Sequence, residues 1–351
     1  MTGAVRATLP ANAEAGRTYK AIVRVKYPDG STEEIVAAVR VPTQAETAAP
    51  GFVGATATGK SDLALDLAEE LGGEVVNADS MQLYRGMDIG TNKLPVAERR
   101  GIPHHLLDVL EVTDEATLTD FQARAEAAIV DIHSRGRVPV LAGGSGLYVR
   151  AALDHLDIPP TDPAVRARLE EQAQDEGGRA ALRRRLREVD PAAADAIEPN
   201  NIRRIIRALE VVEITGRPFS ATAPTKRYRR PSLVIALRDD WDALTDRIDR
   251  RTRAMWEAGL LDEVRRLDAA GLRDGRTASR AIGYAQALGE LDGRWGREEA
   301  IADTARSTRR YARRQESWLR PDPRVHWLDA AAPGLRESAV GLATRPAQWT
   351  P

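Results

Sequence analysis

A glycine-rich segment near residue 54 has the residue types that bind phosphate. The stretch from Gly54 to Ser61 reads GATATGKS and matches the pattern G-x-x-x-x-G-K-[ST]. In this pattern the glycines let backbone N–H groups wrap an anion, the lysine adds a positive charge, and the serine hydroxyl can ligate Mg²⁺. A helix predicted to begin near Ser61 directs its positive end to the same place. The segment predicts a site for a diphosphate group, whether or not that group belongs to a nucleotide. The site is formed by Gly54, Ala55, Thr56, Ala57, Thr58, Gly59, Lys60 and Ser61.

Two further polar segments follow predicted strands. Asp79 and Ser80 come after the apolar pair at 75–76, and the segment 143–148 (GGSGLY) follows the apolar run at 138–141. Because the carboxyl ends of parallel strands meet at one edge of a sheet, both segments are expected beside the phosphate loop. A carboxylate there can ligate Mg²⁺ through water or accept a proton. Alternatively, Asp79 or Ser80 caps a following helix, and the glycines form a plain turn.

The apolar pattern places these segments in an α/β core. From Gly51 to about residue 160, short apolar runs alternate with helical stretches such as 61–71 and 119–135. This alternation predicts a parallel sheet with crossover helices. The run before the phosphate loop is only Phe52-Val53, so we expect a short first strand that truncates the sheet beside the site.

Downstream of the core the pattern becomes mostly helical. From about residue 163 to 319 the chain is rich in Arg, Glu, Ala and Leu, and 241–268 repeats apolar residues at helical spacing. The predicted fold class is α/β, with a P-loop NTPase-like parallel sheet core, a helical insertion and a short N-terminal β-hairpin segment. The predicted divisions are an appended segment at 1–50, the core at 51–160, a mostly helical part that returns to the core at 161–330, and a tail at 331–351.

Positive charge is concentrated in the second half of the chain. The 351 residues have a formal net charge of −1, but the first 150 carry −5 and the rest carry +4. Five arginines between 306 and 314 fall at helical spacing on one stripe, which can track a phosphate backbone or form an ordinary solvated face. We call these the arginine stripe: Arg306, Arg309, Arg310, Arg313 and Arg314.

Composition excludes several functional classes. With no cysteine, the chain has no disulfide, thiolate zinc site, iron–sulfur cluster or cysteine nucleophile. No apolar run reaches about 18 residues, and the first ten residues lack the apolar centre of a secretory signal, so we expect a cytoplasmic protein that does not enter a membrane. The adjacent His104 and His105 point to different sides in most conformations, so we expect structural hydrogen bonds from them rather than metal binding.

The first 50 residues differ from the rest. Residues 19–41 alternate apolar and polar side chains around the turn signal Tyr-Pro-Asp-Gly at 27–30, which predicts a β-hairpin. The segment resembles the YPDG-type repeat of bacterial surface β-domains over about 40 residues. A linker at 43–50 follows it, so we expect an appended segment rather than part of the core.

Taken together, the later motifs resemble the tRNA dimethylallyltransferases, which prenylate N6 of an adenosine beside the anticodon. Two features depart from that family: Ala55 stands where proline is usual, and the strand before the loop is short. The matching segments occur in the family's order over about 270 residues: GATATGKS (54–61), NADSMQLYRGMDIGTNK (77–93), PHHLLD (103–108), GGSGLYVRAAL (143–153), RRIIRALEVVEITGRPFS (203–220), RIDRRTRAMWEAGLLDEV (247–264), SRAIGYAQAL (279–288) and TRRYARRQESWLR (308–320).

The resemblance implies roles for particular residues. The phosphate loop would hold the diphosphate of dimethylallyl diphosphate, with Mg²⁺ on Ser61, and diphosphate would leave as the group moves to adenosine 37 of tRNA. Lys60, Asp79 and Arg251 would be catalytic: Asp79 matches the carboxylate that accepts the N6 proton, and Arg251 matches the second arginine of R-I-x-x-R-x-x-x-M. No obligate protein partner is expected. The residues expected to contact tRNA are Asp79, Ser80, Met81, Gln82, Ser145, Arg203, Arg204, Arg207, Arg280, Gly283 and Tyr284.

Three other functional classes stay open on sequence grounds. A small-molecule kinase would use the same loop for ATP and would need neither Asp79-Ser80 nor a basic helical part. An isopentenyltransferase acting on free AMP would run the same chemistry without needing the arginine clusters of the second half. A surface adhesin is suggested only by the YPDG hairpin and would need a signal, repeats and an anchor.

Overall fold

The predicted hairpin forms near the start of the chain. In the computed structural model, which describes residues 18–26, 32–40, 51–54, 57–222 and 226–345, strands β1 (Thr18–Lys26) and β2 (Thr32–Arg40) pair antiparallel. Thr18 lies opposite Arg40, and Lys26 lies opposite Thr32. This pairing confirms the predicted hairpin. The Tyr-Pro-Asp-Gly turn and the linker at 43–50 lie outside the described residues.

Six short strands form one parallel sheet, as the α/β pattern predicted. The strands are β3 (Gly51–Gly54), β4 (Glu74–Asn77), β5 (His104–His105), β6 (Pro139–Ala142), β7 (Val234–Arg238) and β8 (Val325–Asp329). Their order is β5-β4-β6-β3-β7-β8, and every neighbouring pair is parallel. The carboxyl ends of β4, β6, β3 and β7 therefore lie side by side.

Two expectations about the strands are corrected. Strand β3 has four residues, as do β4 and β6, and pairs on both sides, so the sheet is not truncated beside the phosphate loop. Gly51 and Gly54 extend this strand, and glycine adds no apolar side chain to the pattern. Strand β7 lies inside the stretch predicted to be helical, because a five-residue apolar run cannot be told from a buried helix by periodicity alone.

Helices connect and flank the strands. The predicted helix at the phosphate loop begins at Lys60, and the helical run at 241–268 is two helices, because Gly259 adopts a left-handed φ of 95° between them. The helices are α1 (Lys60–Leu71), α2 (Leu118–Ser134), α3 (Gly146–Leu153), α4 (Pro163–Gln172), α5 (Glu176–Val189), α6 (Pro191–Ala196), α7 (Ile202–Thr215), α8 (Trp241–Glu257), α9 (Leu260–Ala269), α10 (Tyr284–Leu291), α11 (Arg297–Leu319) and α12 (Leu335–Ala343).

The helix after the phosphate loop is fixed by its apolar face. Leu63 and Leu67 of α1 are buried in a cluster that includes Ile235 of β7 and Ala339 of α12. Removing a buried leucine side chain typically costs about 2–5 kcal/mol, so the start of α1 is held firmly relative to the sheet. The positive end of this helix is thereby fixed in place at the carboxyl edge of the strands.

The chain divides into two compact units. The larger unit comprises the described residues up to Leu153 and from Arg230 onward, and the smaller unit is Asp154–Arg229. This division differs from the predicted helical part at 161–330, because α8 and α11 pack against Ala57 of the phosphate loop and belong to the larger unit. Among the described helices, none combines the length and apolar character needed to cross a membrane.

The smaller unit has its own core and its own buried anion. Helices α4–α7 bury a cluster around Leu169, Leu186 and Leu209. Glu210 on α7 is fully buried and accepts hydrogen bonds from Arg166 and Arg207. Burial raises the pKa of Glu210, but hydrogen bonds from the two arginines outweigh it, so the net pKa lies below its usual value. Two guanidinium groups thus hold this carboxylate charged inside the unit.

Candidate active site at the carboxyl edge of the sheet

The phosphate loop connects the central strand to a helix with open backbone donors. Strand β3 ends at Gly54, α1 begins at Lys60, and residues 55–56 lie outside the described part of the chain. Gly59 precedes the helix with a left-handed φ of 80° and supplies no side-chain cap. The first backbone N–H groups of α1 are therefore available to an anion, and the helix dipole favours negative charge there.

Asp79 stands beside this loop because Asn77 shapes the segment after β4. Asn77 is buried; its Oδ1 accepts from the Asp79 backbone N at 2.9 Å, and its Nδ2 donates to the Leu106 carbonyl at 3.0 Å. One oxygen of the Asp79 carboxylate accepts from the Met81 backbone N at 2.9 Å. Turns rather than a helix follow Asp79, so the alternative in which it caps a helix is excluded.

Lys60, Asp79 and Arg251 are close enough to shift one another's pKa. Burial lowers the pKa of Lys60 to about 8, with a further lowering from Arg251 and a partial recovery from Asp79. Burial raises the pKa of Asp79, while the Met81 backbone hydrogen bond and the charges of Lys60 and Arg251 oppose that rise. Burial likewise lowers the pKa of Arg251, and Asp79 opposes it. The structure thus brings together the three residues predicted to be catalytic.

A first cavity of about 460 Å³ opens over the phosphate loop. Its lining includes residues 57–62, the glycines at 143–144, Asn77 and His104. Four cationic side chains and three carboxylates also line it. These are Lys60, Arg247, Arg250, Arg251, Asp62, Asp79 and Glu98.

A second cavity of about 310 Å³ lies on the other side of Asp79. It shares Asp79, Thr91 and Arg251 with the first cavity, so these residues form the common wall. Its remaining lining is largely neutral, with Arg280 and Arg314 adding positive charge. The neutral lining residues are Ser80, Met81, Gly90, Thr252, Met255, Ala281, Ile282, Thr304, Thr308 and Tyr311.

The glycines after β6 are required by close packing. A side chain on Gly143 would lie 2.3 Å from the Ala78 backbone, and one on Gly144 would lie 2.1 Å from the Gln315 amide nitrogen. Gln315 on α11 is buried and donates to the Gly144 carbonyl at 2.6 Å. These contacts join the segments after β4 and β6 to α11, so the glycines do more than form a plain turn.

Gln82 and Ser145 lie in the same region with different surroundings. Gln82 lines the first cavity, and its amide donates to the Thr91 carbonyl at 3.1 Å. Ser145 is half-buried before α3, and its carbonyl accepts from the Val149 backbone N at 3.0 Å. Gln82 therefore ties the segment after β4 to the common wall of the two cavities.

Two residues predicted to contact tRNA also support the fold. The Tyr284 side chain is fully buried and donates to Glu263 at 2.5 Å, and buried Gly283 donates its backbone N–H to Gln286. Glu263 also accepts from the backbone N–H groups of residues 88–90. Tyr284 thereby fixes the loop that carries Thr91 through Glu263, and Gly283 caps α10 with Gln286; direct tRNA contact by these two residues stays a prediction.

The arginines predicted to contact tRNA differ in exposure and in their internal hydrogen bonds. Arg280 is exposed at the second cavity, and Arg203 and Arg204 are exposed on α7 of the smaller unit. Arg207 donates to the carbonyls of Pro159 and Pro160 as well as to Glu210. Its guanidinium therefore serves the fold of the smaller unit, but the side chain is 22% exposed, and its direct contact with tRNA stays a prediction.

The arginine stripe lies along α11 as the spacing predicted. Arg310, Arg313 and Arg314 are exposed, Arg306 is exposed but pairs with Asp303, and Arg309 pairs with Asp249. The Arg313 guanidinium also lies 4.4 Å from the centre of the Trp241 ring. Most of the stripe can therefore meet an external anion.

The two histidines make the hydrogen bonds expected of them. The His104 ring bonds to the Ile102 carbonyl at 2.9 Å, and His105 bonds to buried Glu74 at 2.7 Å. Within the described residues no cluster of three or more acidic or histidine side chains could hold a metal ion.

Three supporting residues lie inside the matching segments, but the motifs assign them no role. Arg247 donates to the Ala57 carbonyl, Glu263 holds the loop at 88–90, and Gln315 holds Gly144. Arg247 is the first arginine of the R-I-x-x-R-x-x-x-M segment, four residues before Arg251, and helical spacing places the two on one face. That spacing is the one local signal for Arg247; Glu263 and Gln315 have long-range partners that no local pattern indicates.

Comparison with known proteins agrees with this geometry. The family model described as IPP transferase matches residues 82–322, and the model described as Long Rib domain matches residues 1–42. The second match agrees with the resemblance of the N-terminal segment to a surface repeat. The first begins after the phosphate loop and Asp79, whose assignment rests on motif and geometry.

Full-length relatives and solved structures extend the match. The chain is 60% identical over 295 residues to the tRNA dimethylallyltransferase of Thermobifida fusca, covering 83% of this chain and 92% of that protein. It is 59% identical to that of Saccharopolyspora erythraea, covering 81% and 92%. The tRNA isopentenylpyrophosphate transferase structure from Bacillus halodurans matches with a TM-score of 0.64 and 40% identity, covering 86% and 97%. A eukaryotic dimethylallyltransferase acting on tRNA matches with 0.70 and 30%, covering 81% and 74%.

Proposed function

The chain belongs to the IPP transferase family, and we propose that it transfers a dimethylallyl group from dimethylallyl diphosphate to N6 of adenosine 37 of tRNA, releasing diphosphate. One observation carries the proposal: two cavities, one over the phosphate loop and one lined mostly by uncharged side chains, meet at a wall formed by Asp79, Thr91 and Arg251. A charged leaving group and a nucleobase can therefore be held on opposite sides of one carboxylate.

The first cavity is suited to the diphosphate. The open N–H groups of α1 and the charges of Lys60 and Arg251 surround the place where negative charge grows as the allylic C–O bond breaks. Removing one fixed donor or cation that is aimed at developing charge typically raises a barrier by about 3–4 kcal/mol. Because an allylic carbon tolerates positive charge, bond breaking can run ahead of attack, and leaving-group stabilisation becomes the main demand on this cavity.

The residues present fit Mg²⁺ bound together with the diphosphate. Ser61 is exposed at the start of α1, and Asp79 faces the same cavity. Mg²⁺ is usually held by one or two protein oxygens plus substrate phosphates rather than by an all-protein cage, which agrees with the scattered carboxylates here. Ser61 would ligate the ion directly and Asp79 through water, and a bound Mg²⁺ neutralises charge on the leaving diphosphate.

Asp79 is placed to take the proton that the amine loses. The exocyclic nitrogen of adenine is a weak nucleophile because its lone pair is conjugated into the ring, so a positioned base assists C–N bond formation. Asp79 accepts backbone hydrogen bonds from Met81 and Gln82, and because a carboxylate has about four acceptor sites, it retains the capacity to take the N6 proton. The raised pKa of Asp79 makes it a stronger base than an exposed aspartate.

The second cavity is suited to the adenine ring. Met81, Met255 and Ile282 offer apolar surfaces, and Thr252 and Thr308 add hydroxyl groups. A base inside a folded tRNA must leave its stack to reach such a site, and enzymes acting on bases commonly extrude them into an apolar pocket. Exposed Arg280 and Arg314 at this cavity are placed for the phosphates on either side of the extruded nucleotide.

Contacts with the body of tRNA come from exposed arginines. Positive charge is exposed to solvent on two helices. It comes from Arg203 and Arg204 on α7 and from the exposed members of the arginine stripe on α11. Contacts of this kind neutralise phosphates and weaken as salt is added. An acceptor as large as tRNA explains why the chain carries such surfaces, which a free nucleotide would not need.

Product analysis tests the proposal directly. Purified protein is incubated with Mg²⁺, labelled dimethylallyl diphosphate and unmodified tRNA, and the digested tRNA is searched for N6-prenyl adenosine. We expect label in the tRNA of wild type and its loss in the Asp79→Asn variant. A parallel reaction offers AMP as the acceptor. If the label appears in AMP but not in tRNA, the tRNA assignment is wrong. ATP consumption with no label in any acceptor would replace the transferase with a kinase.

A further inference from the structure

The phosphate loop contains a residue in a conformation that its type disfavours. Ala57 adopts a φ of 66°, in the left-handed region. Residues with a Cβ are rarely found there because the side chain crowds the following carbonyl, and they persist only where the surroundings enforce the conformation. Gly59 in the same loop also has a positive φ, but glycine accepts it without strain. Something other than residue type must therefore hold Ala57.

The contacts of Arg247 supply that constraint. Its Nε donates to the Ala57 carbonyl at 3.0 Å, and another nitrogen of the same guanidinium pairs with Asp239. The Asp239 side chain is only 3% exposed, and its other oxygen accepts from the Asp240 backbone N. Because the guanidinium is planar and joined to a buried carboxylate, the direction of its bond to the loop is fixed.

Strand pairing anchors the other end of this contact. Strand β3 leads into the loop and pairs with β7, with Gly54 opposite Leu237, and Asp239 follows two residues after Leu237. The chain therefore leaves the sheet at Gly54, turns at Ala57, and is tied back through Arg247 to the neighbouring strand. Both ends of the contact rest on the centre of the sheet.

Packing explains why position 57 has a side chain at all. The Ala57 methyl group packs against the cluster formed by Leu244 and Ile248 of α8 with Ala305 and Ala312 of α11. A glycine there would relax the backbone but give up this contact. The loop thus gains attachment to α8, the helix that carries Arg251, in exchange for a strained residue.

We propose that Arg247, oriented by Asp239, is a positioning residue that holds the phosphate loop in its anion-binding conformation. The inference deepens the proposed function, on which it rests. Arg247 acts on the Ala57 carbonyl, and Arg251, one helical turn later, acts on the diphosphate. Without the Asp239–Arg247 pair, Ala57 is free to leave its left-handed conformation, and only part of the molecules present a competent loop.

A population effect of this kind has a defined kinetic signature. If only a fraction of the molecules is competent, the apparent KM for dimethylallyl diphosphate rises by the inverse of that fraction, while turnover at saturation is preserved. We expect Arg247→Met and Asp239→Asn to raise this KM about tenfold with kcat changed less than about twofold. The Asp239→Asn variant keeps the Arg247 charge, so charge loss cannot explain its effect.

The decisive experiment combines these variants with Ala57→Gly. Glycine accepts a positive φ without help, so the double variant Ala57→Gly/Arg247→Met should recover KM to within about threefold of wild type. The matched control is Arg253→Met, which removes an exposed arginine from the same helix and leaves both constants unchanged. Calorimetric binding of inorganic diphosphate is measured for each protein, because this readout does not need the transfer reaction.

Each outcome bears on the proposal separately from the assigned reaction. A fall in kcat without a rise in KM, or no rescue by Ala57→Gly, would show that Arg247 acts on the reacting groups themselves and would overturn the positioning role. Unchanged diphosphate binding in Asp239→Asn would also overturn it. Wild-type protein that binds diphosphate but transfers nothing to tRNA would refute the proposed function while the binding data still decide this inference. Melting temperatures identify any variant that is unfolded, and Asp239→Asn then stands in for Arg247→Met.

Discussion

The two cavities of the larger unit share one wall but differ in the rest of their lining. The first has the open end of α1, four cationic side chains and three carboxylates, and the second has methionine, isoleucine and threonine side chains together with Arg280 and Arg314. Asp79, Thr91 and Arg251 belong to both. The difference lies in the open backbone donors of α1 and in the apolar side chains rather than in net charge: the first cavity can bind an anion, the second offers apolar surface to a flat ring, and Asp79 and Arg251 lie between them.

The elements behind each cavity explain this separation. The first cavity is built by segments that follow β3, β4, β6 and β7, so the sheet order alone brings its residues together. The second is closed by α8, α11 and the segment around Arg280, which come from the latter part of the chain. A change on one side should therefore leave binding on the other side intact.

The largest expected effect comes from neutralising the shared carboxylate. Asp79→Asn keeps the shape and the bond from the Met81 N–H but removes the base, so kcat should fall by about 10²–10⁴-fold. In the absence of Mg²⁺, binding of inorganic diphosphate should be no weaker than in wild type, because a negative charge beside Lys60 has been removed. Single-turnover transfer to tRNA and calorimetry measure the two quantities. A variant that keeps more than a tenth of the turnover would refute the role of Asp79 as base.

The next effect tests the shared cation. Arg251→Met should reduce kcat/KM for dimethylallyl diphosphate by about 10²–10³-fold, because a fixed cation no longer meets the charge on the leaving group. Arg250→Met is the matched control: Arg250 lines the first cavity but not the second, from an exposed position one residue earlier, and its loss should cost less than about tenfold. Equal losses in the two variants would mean that the cavity needs only a general positive potential.

Sequence patterns locate most of the first cavity. The phosphate loop and Asp79 both follow short apolar runs, and polar segments gather at the carboxyl ends of parallel strands, so the pattern alone predicts that they lie together. The local motif also indicates the start of α1. What the pattern misses is β7, whose five residues read as helix, and with it the site of Asp239 beside β3.

The supporting contacts lie beyond sequence reasoning for a physical reason. Glu263 reaches residues 88–90 across more than 170 positions, and Gln315 reaches Gly144 across 171. Such pairs depend on the tertiary arrangement, whereas propensity and spacing report neighbours within one element. Tyr284 illustrates the consequence: the motif around it resembles a region that contacts tRNA, but burial shows that its side chain supports the loop.

A larger side chain in the second cavity tests whether the two cavities bind their ligands independently. Met81 is half-buried on the segment after β4, and Met81→Trp should crowd the space next to Asp79. We expect KM for tRNA to rise about tenfold, with binding of inorganic diphosphate unchanged. The control is Val130→Trp, an exposed position on α2 that lines neither cavity. A rise in the Kd for diphosphate in Met81→Trp would show that the two cavities are not separate.

The smallest expected effect is a weakening of diphosphate binding as the pH rises, which we call the alkaline limb of the pH profile. The pKa of Lys60 is about 8, so its charge is half lost there, and kcat/KM should fall by about half near that pH and further above it. The signs of the neighbours are opposite: Arg251 lowers the Lys60 pKa and Asp79 raises it. The limb should accordingly move to higher pH in Arg251→Met and to lower pH in Asp79→Asn.

Binding of inorganic diphosphate is the better measurement, because the ligand's own titration is common to all variants and cancels in the comparison. Lys60→Arg keeps its charge and should lose the limb. A limb that stays in place in both Arg251→Met and Asp79→Asn would mean that the shared wall does not couple electrically to the phosphate loop.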